Sequence, residues 1–207
     1  MADIRIIGGQ LRGRKVKVID RPDLRPTSNR VRETLFNWLA PYLPGARCLD
    51  AFAGSGALGL EALSRGAAHV TWIESDKHAF NQLNKNLAEL NLAKALSLSE
   101  TELLKERAQV LQASAIQWLN TQPSDSFDLI FLDPPFNQPN LSPSILDLIH
   151  QHSWLSSKGR VYLEAAKTSS APLSFNPAWH LNPAWHLEKE KTIGDVSLNL
   201  LSLMTPS

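Results

Sequence analysis

The apolar positions of this chain keep two rhythms in turn. From Arg47 onward, short continuous apolar runs alternate with stretches in which apolar residues recur every three or four positions. That alternation predicts strands, each followed by a helix. Cys48–Ala51 reads as the first strand, and Leu58, Ala62 and Leu63 mark a helix that Gly66 ends in a left-handed turn. Val70–Glu74 predicts a second strand, and Phe80, Leu83, Leu87 and Leu90 one face of a second helix. Gln109–Gln112 predicts a third strand, with a short helix through Trp118. Phe127–Leu132 carries the strongest strand pattern in the chain. A helix is expected to begin with Pro143 in its first turn after Ser142, turning Leu146 and Ile149 inward. Arg160–Glu164 reads as another strand, and Val196–Leu203 as an antiparallel return. The fold class is α/β: an open, mostly parallel, Rossmann-like sheet with helices on both faces.

The front of the chain is different. Residues 4–19 alternate loosely around Gly8, Gly9 and Gly13, as a small hairpin or extended arm would. Pro22 and Pro26 make residues 20–28 turn-rich. A helix capped by Ser28 or Asn29 then places Val31, Leu35, Trp38 and Leu39 on one face, and Pro41, Pro44 and Gly45 end it. The division expected is therefore an arm over 1–28 and a sheet domain over 29–207. Residues 93–108 suggest a loop with a short charged helix. The hexad Asn176–Leu181 (NPAWHL) is repeated at Asn182–Leu187, and reads as a duplication that lengthens a surface connection.

Composition narrows the function. At 207 residues and 43 % hydrophobic content, the chain suits one domain with a small appendage. No apolar run approaches the ~20 residues of a membrane span, and Met1–Gln10 lacks a signal-peptide core, so a cytoplasmic protein is expected. Cys48 is the single cysteine, expected as a buried thiol, and the six histidines form no zinc pattern, so no metal is expected. Charge is unevenly spread. Arg5, Arg12, Arg14, Lys15, Lys17, Arg21, Arg25, Arg30 and Arg32 face only Asp3, Asp20 and Asp23 in residues 1–32, a net +6 in a chain of net +1. A basic front fits a polyanion such as RNA, and fits a solvated surface hairpin equally well.

Two motifs carry chemistry. Residues 50–59 read DAFAGSGALG, so Gly54, Gly56 and Gly59 keep the G-x-G-x-x-G spacing between a strand and a helix. Glycines there let the backbone turn tightly and approach a ligand. Glu74, at the end of the next strand, can accept both hydroxyls of a ribose. Asp50 would repel a pyrophosphate but can hold an ammonium, which favours S-adenosylmethionine over a dinucleotide. The second motif, Asp133-Pro134-Pro135-Phe136, follows the strongest strand at the sheet edge where open α/β proteins bind ligands. An exocyclic base amine is a poor nucleophile. The Asp133 carboxylate and the Pro134 carbonyl can accept its N–H groups, and Phe136 can stack on the base. The two prolines fix the backbone and leave two carbonyls without local N–H competitors. Hydride transfer has no use for this element, which argues against a nicotinamide oxidoreductase.

Taken together, Arg5-Ile-Ile-Gly-Gly9, Gly13-Arg14, Arg25-Pro26-Thr27, Val31-Arg32-Glu33-Thr34-Leu35-Phe36, Asp50–Gly59, Glu61–Ala67 and Asp133–Phe136 resemble the bacterial small-subunit ribosomal RNA guanine-N2 methyltransferases. The resemblance covers nearly the whole chain. It implies a seven-strand methyltransferase sheet and S-adenosylmethionine as cofactor, held by Asp50, Phe52, Gly54, Gly56 and Glu74, with Ser114 where relatives touch the adenine. Asp133, Pro134, Pro135 and Phe136 would hold the guanine. Arg12, Arg14, Lys15, Arg25, Thr27 and Arg32 would meet the substrate, 16S rRNA in the small ribosomal subunit or its assembly intermediate. A monomer is implied. A DNA adenine-N6 methyltransferase shares the D-P-P-F element, and a non-catalytic RNA-binding assembly factor shares the basic arm.

Overall fold

The computed structural model describes residues 2–19, 28–90, 107–121, 123, 125–136, 138, 141–167 and 184–204. The expectations for Arg25, Thr27, residues 93–106 and the first NPAWHL hexad lie outside these residues. Strands β1 (Ala2–Arg5) and β2 (Lys15–Val18) pair antiparallel as a hairpin. Helix α1 (Asn29–Leu39) follows, with the Ser28 hydroxyl accepting the Val31 N–H at 3.3 Å as its cap. The alternation then runs β3 (Arg47–Asp50), α2 (Ala57–Ser64), β4 (His69–Glu74), α3 (Lys77–Glu89), β5 (Ala108–Gln112), α4 (Ala115–Leu119), β6 (Phe127–Leu132), α5 (Leu141–Gln151) and β7 (Leu155–Ala166). Strands β8 (Trp185–Ile193) and β9 (Val196–Leu203) close the chain.

Seven strands form one sheet in the order β5-β4-β3-β6-β7-β9-β8. The first five are parallel, and β9 returns antiparallel between β7 and β8. Alternation along each strand splits the core in two. Cys48, Trp72, Phe131 and Tyr162 face α1, α2 and the hairpin, while Leu49, Ile73, Leu132 and Leu163 face α4 and α5. Ile6, Leu11 and Val16 join the first of these clusters, so the basic hairpin is built into the domain core.

Three expectations are corrected. Helix α5 begins at Leu141, two residues before Pro143. The first helical turn has no intrahelical acceptor for any of its N–H groups, so proline is tolerated throughout it. Strand β7 starts at Leu155, because Ser156 and Gly159 are carried past a register shift opposite Phe127 and Leu129. The polar Ser-Ser-Lys-Gly run had hidden that half. The second hexad does not belong wholly to a connection: Trp185, His186 and Leu187 open β8, and Trp185 is buried in the core. The alternating charges that follow, Glu188 to Lys191, suit an edge strand.

Candidate functional site at the carboxyl edge of the sheet

The order β5-β4-β3-β6 sets the carboxyl ends of four strands side by side. It therefore gathers Ser114, Glu74, the Asp50–Gly59 turn and Asp133–Phe136 along one edge, although some eighty residues separate the two motifs in sequence.

The three glycines of the turn do different work. Gly54 sits at φ +52° and a Cβ added there would meet nothing within 4 Å, so it borders open space. Gly56 sits at φ +81°, and its added Cβ would lie 2.2 Å from Leu83 Cδ1. Gly59 packs helix α2 on strand β4: an added Cβ would lie 2.2 Å from Trp72 Nε1. Of the three, only Gly54 would meet no protein atom, and its positive φ is what favours glycine there. Glu74 fixes the turn from the neighbouring strand. Its Oε2 accepts the Gly54 N–H at 2.8 Å and its Oε1 the Asp76 N–H at 2.7 Å. Asp76 in turn caps α3 through the Ala79 N–H. Each Glu74 oxygen keeps a second lone pair, so the hydroxyl-accepting role read from sequence fits this geometry.

Asp50 is buried beneath the turn, and its Oδ2 accepts the Gly59 N–H at 3.1 Å. Burial pushes its carboxyl up to about 7; the Gly59 N–H opposes this, and the charges of Asp133 and Glu74 reinforce it. Phe52 is partly buried beside it. Ser114 stands at the N-terminus of α4, and its hydroxyl makes no capping bond. The acidic character of this edge fits a cation such as a sulfonium with its ammonium, and disfavours a pyrophosphate.

In the second motif Pro134 is buried, Pro135 exposed, and the Phe136 ring 47 % exposed. One detail departs from the sequence reading. The Pro135 carbonyl accepts the Gln138 N–H at 3.2 Å, so the turn engages that carbonyl.

Of the substrate-facing cations expected in the described residues, Arg32 is misplaced by the sequence reading. It is 1 % exposed, and its guanidinium donates to the Arg5 carbonyl at 2.9 Å and Asn29 Oδ1 at 2.6 Å. It also lies 3.8 Å from the Glu61 carboxylate. Arg32 joins helix α1 to the hairpin and to α2, and does not face solvent. Burial lowers its affinity for the proton, and Glu61 opposes that. Arg12, Arg14 and Lys15 are exposed; Arg14 donates to the Leu90 carbonyl and Lys15 pairs with Asp3 at 3.1 Å.

Sequence reasoning missed four polar anchors. Glu61 accepts the Ile7 and Gly8 N–H groups at 2.7 and 2.8 Å, and Ser64 holds Gln10 and Leu11. Asn86 bridges the Lys17 backbone to the Ser55 carbonyl, and so ties the hairpin to the glycine turn. Glu164 is buried on β7 and lies inside the strand, which runs on past it to Ala166. Its signal was available: Leu49-Asp50, Ile73-Glu74, Leu132-Asp133 and Leu163-Glu164 each finish an apolar run with an acid.

Comparison with known proteins agrees with this geometry. The ribosomal RNA small subunit methyltransferase D of Haemophilus influenzae is 44 % identical over 200 residues, covering 96 % of this chain and 93 % of that protein. Its Escherichia coli K12 counterpart is 44 % identical over 198 residues, covering 95 % and 88 %. The solved structure of the Escherichia coli protein yhhF superposes with a TM-score of 0.79 at 40 % identity, covering 98 % of both chains. The sheet and its hairpin have the Rossmann-like fold of S-adenosylmethionine-dependent methyltransferases. The family model described as Conserved hypothetical protein 95 matches residues 4–202, and this chain belongs to that family.

Proposed function

We propose that this protein transfers a methyl group from S-adenosylmethionine to the exocyclic N2 amine of one guanine in the 16S rRNA of the small ribosomal subunit. The observation that carries the reading is that Asp133–Phe136 directly follows β6, the strand that pairs with β3, whose end opens into the glycine turn. Similarity to ribosomal RNA small subunit methyltransferases over nearly the whole chain supports the choice of substrate.

The cofactor supplies a methyl group already attached to a good leaving group. The open approach at Gly54, the paired oxygens of Glu74 and the acidic edge around Asp50 form a cradle suited to it, with Phe52 and Ser114 beside it. The protein's task is then chiefly positioning. Asp133 accepts one N–H of the base amine and the Pro134 carbonyl the other. This turns the nitrogen lone pair toward the methyl group and steadies the positive charge that develops on nitrogen. The exposed Phe136 ring stacks on the flipped base. The amine proton leaves after transfer, so Asp133 need not be a strong base. Arg12, Arg14 and Lys15 on the hairpin, with Arg25 and Thr27, meet the RNA. The enzyme acts as a monomer in the cytoplasm.

The test is transfer of labelled methyl from S-adenosylmethionine to small ribosomal subunits lacking this modification, followed by nucleoside analysis. N2-methylguanosine is the expected product. Label in N6-methyladenine would overturn the base assignment, and subunits left unlabelled by a cofactor-binding protein would overturn the substrate.

A further inference from the structure

Asn86 on α3 is a buried polar side chain that the methyl transfer described above does not use. It is 2 % exposed, and all four hydrogen-bonding positions of its amide are filled. Its Oδ1 accepts from the Lys17 N–H at 3.2 Å and from Gln82 Nε2 at 3.1 Å. Its Nδ2 donates to the Lys17 carbonyl at 2.9 Å and to the Ser55 carbonyl at 3.1 Å. Both backbone groups of Lys17 are thus paired as a neighbouring strand would pair them, two residues along β2 from Lys15. These partners fix which way the amide points. Turned over, it would set a donor against the Lys17 N–H and an acceptor against two carbonyls.

The far end of this bridge is the glycine turn. Ser55 stands between Gly54 at φ +52° and Gly56 at φ +81°, two residues whose backbone turns freely unless something holds it. The Ser55–Gly56 peptide is held at both ends, its carbonyl by Asn86 and its N–H by the Ala53 carbonyl at 2.7 Å. On the other side the Gly54 N–H is held by Glu74 at 2.8 Å. Between them the Gly54–Ser55 peptide makes no hydrogen bond among the described residues, and Gly54 borders open space. We propose that Asn86 is a positioning residue for the cofactor: it takes the hairpin backbone as a fixed point and from there holds the Ser55 carbonyl, so that the glycine turn keeps the shape that receives S-adenosylmethionine. The inference rests on the cofactor of the function proposed above and not on its RNA substrate. The hairpin that carries Arg12, Arg14 and Lys15 is thereby part of the cofactor site without touching the cofactor. Its other ties, Glu61 to Ile7 and Gly8 and Lys17 Nζ to Glu89 at 2.8 Å, end on α2 and α3 and not on the turn.

The experiment measures S-adenosylmethionine affinity by titration calorimetry, well below the unfolding midpoint of each variant, together with steady-state methylation of unmodified small subunits. Asn86→Asp keeps the size and the acceptor bonds of the amide but donates to neither carbonyl. It should weaken cofactor binding by about tenfold or more. The KM for the cofactor should rise alike, while the rate at saturating cofactor holds within about threefold. Lys17→Pro removes the N–H that orients the amide, in a two-stranded sheet whose edges tolerate proline, and should give a smaller loss of the same kind, about threefold. Glu89→Gln breaks the Lys17 ion pair, leaves the amide alone, and should bind within about twofold of wild type. Equal affinity in wild type and Asn86→Asp, or as large a loss in Glu89→Gln, would overturn the proposal; a Lys17→Pro protein that binds like wild type would remove the hairpin as its fixed point. Wild type offers a test that needs no variant to fold. The Asn86 side-chain amide protons, both in hydrogen bonds, should exchange slowly and shift when S-adenosylmethionine is added, and an unmoved pair would sink the proposal as well. If wild type binds no S-adenosylmethionine, the proposed function falls and the role of Asn86 with it. If wild type binds and methylates while Asn86→Asp matches it, only the role of Asn86 falls.

Discussion

Glu61 and Glu164 are both buried glutamates, and their surroundings are opposite. Glu61 on α2 is 0 % exposed, yet it receives the Ile7 and Gly8 N–H groups and the Arg65 guanidinium at 2.7 to 2.8 Å, with Arg32 at 3.8 Å. Glu164 has the Tyr162 hydroxyl as donor and Asp133 as a like-charged neighbour. One carboxylate is surrounded by donors, so its charge serves the fold and latches the hairpin to the sheet domain. The other has a single hydroxyl donor beside a like charge, so burial favours its neutral form. Burial alone separates nothing here; the number and charge of the partners does.

Breaking the latch should have the largest effect. Glu61→Ala strands the buried Arg32 guanidinium and two backbone N–H groups, and should cost about 3–5 kcal/mol of stability in urea denaturation. A loss under about 1 kcal/mol would show that the hairpin docks by its apolar residues Ile6, Leu11 and Val16 alone. The carboxyl edge should answer in the other currency. Asp133→Asn should lower the methylation rate by about 10²–10³-fold and leave stability within about 1 kcal/mol. Equal damage to both quantities by either substitution would erase the distinction between latch and edge.

That contrast also explains what was legible in the sequence. The strands and their site motifs were, because each rests on local pattern: Phe127–Leu132 and Val196–Leu203 are strands over those very residues. The glycine turn and D-P-P-F were legible because their chemistry lies within a few consecutive residues. The latch was not. Glu61 and Ile7 are 54 positions apart, and Arg32 looks like any other cation of a basic arm until folding buries it. Glu164 reads as a strand end until β7 is seen to run on to Ala166, which sets it inside the strand and buries it. Strand β8 was missed because its exposed charges are those of an edge strand, which periodicity reads as a loop.

Asp50 allows a smaller and sharper test. Its folded carboxyl, pushed up to about 7, lies above the ordinary 3.8, so the folded protein holds a proton that the unfolded chain releases. That contribution to stability is complete below the ordinary value and is lost as pH rises through the folded one. Wild type should therefore lose stability between pH 5 and 7 with a slope of at most about 1.4 kcal/mol per pH unit from this group. Asp50→Asn, which can still accept the Gly59 N–H, should flatten that slope. A cationic cofactor reverses the preference, so its affinity should rise over the same interval in wild type and much less in the variant. Parallel pH profiles for the two proteins would remove Asp50 from the edge.

The smallest effect separates two arginines of the basic front. Arg12 is exposed on the hairpin, and Arg32 is enclosed between the hairpin, α1 and α2. If Arg12 meets a phosphate, Arg12→Gln should reduce the magnitude of the slope of log affinity against log salt for small subunits by about 0.7–0.9, with stability unchanged. Arg32→Gln should do the reverse: it removes a donor from the Arg5 carbonyl and a partner from Glu61, so it should lower the unfolding midpoint and leave the salt slope where it was. Lys15→Gln should fall between them, because it leaves Asp3 without its ion pair on the same strand pair. A salt slope that moves with Arg32 and not with Arg12 would mean that the RNA reads the shape of the docked hairpin and not its exposed charge.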